Sequence, residues 1–226
     1  TNEPVVEMTQ IKGTSETNPT LSPNDEFADF MISDFLIAGE QTGKLRGKAK
    51  GSYARDALRS GLVLEEQTGV NPYKFGQIGA SDTHNAGGDY EENNVFGKIG
   101  REDGTPEARL VHKTQLTPIV QSWGSAGLAG VWAEENTRES LYDAMKRKEV
   151  FATTGPRMKV RFFGSWQYDD ADAKSADLVK IGYAKGVAMG SDLAARPAAA
   201  KAPSFLVWAI KDPNSGNLDR IQIVKG

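Results

Sequence analysis

The chain has 226 residues and a formal net charge of −3, from 27 basic and 30 acidic side chains. Hydrophobic residues make up 38% and charged residues 25%, a composition typical of folded globular proteins and not of disordered ones. The small net charge gives no electrostatic case for nucleic acid or an anionic membrane as a partner. No apolar run approaches the roughly 20 residues that a membrane-spanning helix needs.

The absence of cysteine and the scarcity of histidine limit the possible functions. Cysteine is absent, which excludes disulfides, thiolate metal sites and cysteine nucleophiles and is compatible with any redox compartment. Only two histidines occur, His84 and His112, so a histidine-rich zinc site cannot be completed from this chain. The sequence contains no credible Ser-His-Asp arrangement, P-loop or Gly-x-Gly-x-x-Gly motif. It opens without an initiating methionine or a signal peptide, which predicts a processed or truncated product.

The first part of the chain alternates strands and helices. Residues 5–11 are predicted as a buried strand, and residues 52–68 as an amphipathic helix with Ser52 as N-cap and Gly69 as its stop. A second strand is predicted over residues 75–81. The order strand, helix, strand predicts a parallel βαβ layout. Residues 13–25 and 39–50 are predicted as loops, and residues 29–37 as either a short helix or a loop.

The second part changes character. Residues 85–125 form a long polar connection, and a helix is predicted over residues 136–148, with Asn136 as N-cap and Glu139 completing a capping box. Four short β-like runs follow, over residues 158–163, 179–183, 205–210 and 220–224. The last two are predicted to form a hairpin across residues 212–217, and the Pro/Ala-rich residues 194–202 an exposed connector. We therefore predict an α/β region over residues 1–153 and a small antiparallel β domain over residues 154–226.

Asp82 and His84 are the main candidates for chemistry, because they end the second predicted strand and open a glycine-rich loop. Side chains two residues apart in a strand point the same way, and ligands of parallel α/β folds gather at the carboxyl ends of strands. A carboxylate and an imidazole projecting together are two ligands for one divalent metal, which would generate a hydroxide or clamp a phosphoryl oxygen. The alternative is an Asx-type turn at Asp82 beside an exposed histidine.

Further candidates are needed, because a metal site requires at least three protein ligands. Glu7 in the first strand and Glu16 in the loop after it could point toward the same strand-end face, either as ligands or as ion-paired neighbours of ligands. Arg157, after the turn at residues 153–156, either neutralises an anionic substrate or forms a structural ion pair. His112 is predicted as a surface residue. The tryptophans at 123, 132, 166 and 208 are predicted to pack in the core and between domains.

Several segments resemble the family known as domain of unknown function 3604 (DUF3604), and the Trp-Ala-Glu-Glu-Asn-Thr-Arg run within residues 127–138 is the most specific of them. That family resembles the polymerase-and-histidinol-phosphatase (PHP) metallohydrolases, whose fold is a distorted seven-stranded β/α barrel. In those enzymes a late strand ends in Ser-Asp-x-His, whose Asp and His bind metal. Ser81-Asp82-Thr83-His84 matches that motif residue by residue. The matching segments are residues 6–16, 22–27, 78–84, 127–138, 151–157 and 219–226.

The resemblance also implies what this chain lacks. PHP enzymes open with a His-x-His strand and carry more histidines and a glutamate before the region that corresponds to Val5, and none of these is present. The resemblance therefore implies a C-terminal portion: the last part of a PHP-like β/α barrel followed by the small β domain, with the missing N-terminal portion of the same protein as its partner.

For function, the resemblance implies a hydrolase that binds a divalent metal (zinc, manganese or iron) and acts on a small, phosphorylated substrate. It implies export, for example to the periplasm, with a cytoplasmic location as the alternative. The fragment itself is expected to be inactive or nearly so. Two competing hypotheses remain: a non-catalytic scaffold or binding module whose β domain binds a partner or a glycan, and a degenerate metal site in which Asp82 only stabilises a turn.

Overall fold

The structure, a computed structural model, describes residues 3–33, 35–36, 47–87, 91–94, 97–111, 117–120, 122–124, 126–200 and 202–225. Across these residues it is a mixed α/β protein with three small sheets, and these sheets do not close into a barrel. No helix in the described ranges has the length and apolar character required to cross a lipid bilayer.

The first sheet contains the predicted strand–helix–strand unit. Strand β1 (Val5–Gln10) lies between β2 (Gly13–Thr14), which is antiparallel to it, and β3 (Gly76–Gly79), which is parallel to it. Helix α1 (Ala54–Thr68) makes the crossover between β1 and β3. The parallel pairing shifts register between Glu7 and Thr9, and such bulges re-aim side chains near a strand end.

Helix α1 begins and ends by different means. Gly69 ends it in a left-handed conformation with φ 75°, as predicted. The prediction of Ser52 as N-cap was wrong: Tyr53 is the N-cap and makes no side-chain capping bond. Instead, the amides of Ala54 and Arg55 donate to the carbonyls of Ser15 and Glu16, so the loop after β2 satisfies them.

The second sheet is the antiparallel pair β4 (Leu128–Val131) and β5 (Val150–Thr153), connected through helix α5 (Arg138–Arg147). The N-cap of α5 is Thr137, whose side chain accepts a hydrogen bond from the Ser140 amide, so the prediction of Asn136 was wrong by one residue. Before this sheet, the described parts of residues 85–125 contain a 3₁₀ turn (Glu92–Asn94) and the short helices α2 (Gly100–Asp103), α3 (Pro106–Leu110) and α4 (Thr117–Val120).

The third sheet is antiparallel, in the order β7 (Val187–Ala188), β6 (Lys159–Ser165), β8 (Ser204–Ile210). Two helices precede β7: α6 (Asp170–Lys174) and α7 (Leu178–Lys185). Phe163, Tyr168 and Leu206 form its buried core.

Two predicted strands in this region were wrong. Residues 179–183 belong to α7, because Leu178, Val179 and Ile181 pack on the core around Phe163. Residues 220–224 form no strand, so the predicted hairpin is absent, and β8 pairs only with β6 among the described residues. Arg220 instead reaches back to an ion pair with Glu26.

Trp132, at the end of β4, connects the second and third sheets. Its ring lies 6.4 Å from the Trp208 ring, and its indole Nε1 donates to the Val160 carbonyl at 2.8 Å. The Arg161 guanidinium stacks 3.8 Å from the same ring. These contacts agree with a packing role for Trp132 and Trp208; the boundary near residue 154 stays a prediction.

Glycine 79 sets the distance between β3 and the second sheet. A Cβ atom there would lie 2.6 Å from the Leu128 carbonyl oxygen and 2.8 Å from the Thr153 carbonyl oxygen, both of which are backbone atoms.

We expect Gly79→Ala to lower the free energy of unfolding by about 2 kcal/mol, because the backbones must move apart. Urea denaturation measures this change. Gly216→Ala, where a Cβ atom has open space, should change stability by less than about 0.5 kcal/mol. Equal effects of the two substitutions would contradict this packing.

Candidate functional site

The carboxyl ends of β1 and β3 meet in one place. The Ala80 amide donates to the Thr9 carbonyl at 3.0 Å, and the Gly127 amide donates to the Ala80 carbonyl at 3.0 Å. The Gly124 amide donates to the Ile11 carbonyl at 3.0 Å. Three segments that are distant in sequence therefore share one network of backbone hydrogen bonds, which fixes the loops that leave both strands.

Asp82 and His84 lie just beyond β3 and close together. His84 Nε2 is 3.7 Å from Asp82 Oδ1, and the His84 side chain is 57% exposed. The predicted strand to residue 81 was too long, since β3 ends at Gly79, so strand alternation does not bring the two side chains together. Asp82 has a left-handed backbone, with φ 50°, and the His84 amide donates to the Lys98 carbonyl at 2.9 Å. Local turn geometry and a tertiary hydrogen bond place the pair.

Two lysines converge on the Asp82 carboxylate. Lys98 Nζ lies 2.5 Å from Asp82 Oδ2, and Lys12 Nζ forms an ion pair with the same oxygen. Lys98 also donates to the backbone carbonyl of Asp82. The two carboxylate oxygens are thus divided: Oδ2 faces the two ammonium groups, and Oδ1 faces His84.

Lys98 is almost fully buried, with a side chain only 3% exposed. The carboxylate of Asp103 accepts hydrogen bonds from the amides of Lys98 and Ile99, both at 2.7 Å, and so fixes this turn. The ammonium group lies 5.9 Å from the centroid of the Trp123 ring, within the range of a cation–π interaction. The lysine is therefore held at both its backbone and its side-chain end.

The ionisation of these groups follows from their positions. Burial of its carboxyl group raises the pKa of Asp82, but the hydrogen bonds and charges of Lys12 and Lys98 outweigh this and lower the pKa to about 2. Burial, together with the positive charge of Lys12, lowers the pKa of Lys98. Although much of Glu7 faces solvent, partial desolvation of its carboxyl group and the negative charge of Asp82 raise the pKa of Glu7.

The other predicted site residues lie in different places. Glu7 is on β1 and lines, with Lys12, a cavity of about 200 Å³. Glu16 pairs with Arg55 at 2.6 Å, at the start of α1, and not with the Asp82–His84 pair. The Arg157 amide donates to Asp212 at 2.6 Å, and the residue lines a separate cleft of about 710 Å³. His112 lies outside the described residues.

Neither Lys12 nor Lys98 was predicted as a site residue. Lys12 occupies the same topological position as Asp82, directly after a strand of the parallel pair. Lys98 is a single charge in the run Val-Phe-Gly-Lys-Ile, which is the pattern of a lysine drawn into an interior. These were the available signals, although neither one identifies Asp82 as the common partner.

The donor set fits one edge of a divalent metal site. Two ligands at tetrahedral angles around zinc are about 3.4 Å apart, close to the 3.7 Å between Asp82 Oδ1 and His84 Nε2. Within the described ranges no group of three or more suitable side chains assembles, so a third ligand is not provided there.

Comparison with protein-family models gives one match, which extends over residues 1–226. The chain belongs to the DUF3604 family. That family is described as "Protein of unknown function". Neither the curated proteins nor the solved structures gave a match to this DUF3604 chain.

The ion pairs of Asp82 predict a pH-dependent stability. Its folded-state pKa of about 2 lies below the ordinary value of 3.8, so its contribution to stability is complete above about pH 5 and is lost as the pH falls through about 2. We expect Asp82→Asn to cost about 2 kcal/mol at pH 7 and progressively less below about pH 5. Urea unfolding of both proteins between pH 3 and 7 measures this. Asp192→Asn, at an exposed pair with Lys74, should cost less than about 0.5 kcal/mol throughout. A cost of Asp82→Asn that is the same at pH 3 and pH 7 would contradict the assignment.

Proposed function

We propose that this chain is part of a metal-dependent hydrolase that acts on phosphate esters, and that Asp82 and His84 are two of its metal ligands. The observation that carries the proposal is the 3.7 Å separation of Asp82 Oδ1 and His84 Nε2 at the carboxyl end of β3. In open α/β sheets this is where ligands bind. The exposed imidazole also gives an ion access from solvent.

The division of the Asp82 carboxylate supports the same function. One oxygen is available toward His84, while the other is held by Lys12 and Lys98, which fixes the carboxylate plane. Ligating carboxylates are oriented in this way by hydrogen-bonding neighbours. The low pKa of Asp82 keeps the group ionised at any pH where a hydrolase would act.

We further propose that the β1–α1–β3 unit is the last part of a PHP-like β/α barrel and that the chain is the C-terminal portion of a longer protein. The parallel pairing of β1 with β3 and the crossover helix α1 support the first statement. The second rests on the resemblance and on the histidine count, because two histidines are too few for the ligand set of such enzymes. Export to the periplasm is proposed on the resemblance alone.

Each residue has a part in this proposal. A bound divalent metal would supply an activated water and neutralise charge on a phosphoryl oxygen. Asp82 Oδ1 and His84 Nε2 would hold that ion, and Lys98 would hold Asp82. Trp166 and Trp208 are half-buried, so they offer little to the alternative of a glycan-binding module.

The test is metal content and hydrolysis in the full-length protein. We expect Asp82→Ala and His84→Ala each to lower bound zinc or manganese, measured by plasma mass spectrometry, by at least half. Hydrolysis of p-nitrophenyl phosphate should fall at least roughly hundredfold, since changes to outer-sphere groups alone cost 10–100-fold.

Asp192→Ala is the matched control. It removes an exposed carboxylate whose partner Lys74 precedes β3, at the opposite end of that strand from Asp82. Metal content and activity should stay at wild-type values. Unchanged metal content in both site variants would defeat the assignment.

A further inference from the structure

We propose that Lys12 and Lys98 form a two-lysine clamp for a tetrahedral oxyanion, the phosphoryl group of the substrate. The inference deepens the proposed function and rests on it for the class of substrate. What carries it is the convergence of two ammonium groups, from separate parts of the chain, on a single carboxylate oxygen beside His84.

The charges around Asp82 are not balanced by direct ion pairs alone. Two ammonium groups share Asp82 Oδ2, where one would be enough to neutralise it. Glu7 offsets the second positive charge only at longer range: its carboxylate interacts electrostatically with both lysines, but it is exposed and forms no ion pair with either of them among the described residues. Keeping two like charges together at a largely buried point is costly. A bound anion would relieve that cost.

The two ammonium groups also have unused hydrogen-bond capacity. Each ammonium has three donors. The described acceptors are Asp82 Oδ2 for Lys12, and Asp82 Oδ2 with the Asp82 carbonyl for Lys98. Among the described residues each ammonium therefore has more donors than acceptors, and phosphoryl oxygens are acceptors that lysine binds well.

The cluster can be reached from solvent on the side of Lys12, Asp82 and His84. The side chains of Lys12 and Asp82 are 18% and 27% exposed, and His84 is more exposed still. Lys98 is anchored at its backbone amide by Asp103, and its ammonium, on a side chain that is only 3% exposed, is held by Asp82. An oxyanion arriving from the His84 side therefore meets Lys12 first and contacts Lys98 by taking the place of Asp82 Oδ2.

The test uses inorganic phosphate as the probe, this chain, and a chelator to remove metal, with calorimetry as the measurement. Asp82→Asn takes away the anion that competes for both lysines and keeps the side-chain shape. We expect it to bind phosphate at least about tenfold more tightly than the wild type. Sodium acetate at equal ionic strength should show no such gain.

Lys12 then provides the complementary variant. Lys12→Met in the Asp82→Asn background should abolish the gain, and Lys12→Met alone should weaken phosphate binding by the wild type at least about fivefold. Lys98→Arg, which keeps the charge of a buried residue, should retain most of the gain. Circular dichroism tests whether each variant is folded. If Asp82→Asn does not fold, the phosphate affinity of Lys12→Met alone tests the clamp.

The pair Lys185 and Asp172 is the matched control. Here one lysine, 2.6 Å away, neutralises one buried aspartate. Asp172→Asn should therefore gain no affinity for phosphate. The clamp is overturned if Asp82→Asn binds phosphate no more tightly than the wild type, or if the gain survives Lys12→Met. The chelator removes metal from the phosphate assay, so its outcome does not depend on the metal content measured for the Asp82 and His84 variants. The clamp and the metal site can therefore be refuted independently of each other.

Discussion

The carboxylate of Asp82 neutralises two ammonium groups that arrive from different parts of the chain, and the strand-end site depends on that interaction. Lys12 follows β1, Asp82 follows β3, and Lys98 lies in the loop before α2. Removal of the carboxylate would leave two cations facing each other, one of them buried. Because unpaired buried charge is among the most costly features a fold can carry, the three segments are held together by the same charges that define the site.

The backbone around this cluster has little freedom to adjust. Close approach of β3 to Leu128 and Thr153 requires glycine at position 79, and the carbonyls of Thr9 and Ile11 are satisfied by amides from other segments. Attraction between charges has no preferred direction of its own. The fixed backbone positions therefore decide which carboxylate oxygen each charged group faces. The division of the carboxylate, with one oxygen toward the lysines and the other toward His84, is the result.

Sequence patterns predicted the end of α1 at Gly69 and the parallel strand–helix–strand unit. They also placed Asp82 beside His84, although a turn and a tertiary hydrogen bond, and not strand alternation, bring the two together. Long-range contacts decided the rest. The N-terminus of α1 is satisfied by Ser15 and Glu16, residues 179–183 form a helix because their apolar side packs on Phe163, and Lys12 finds its partner 70 positions away. A spacing rule carries no information about such partners.

Asp82 is an unusually strong acid if the two lysines hold its carboxylate, and a carboxyl ¹³C NMR titration of selectively labelled protein measures its pKa directly. We predict a pKa of about 2, with the midpoint returning toward 3.8 when Lys12 is replaced by methionine. A midpoint near 3.8 in the wild type, unchanged by that substitution, would show that the lysines do not hold this carboxylate. That result would contradict the proposed role of Asp82 as the common partner of Lys12 and Lys98.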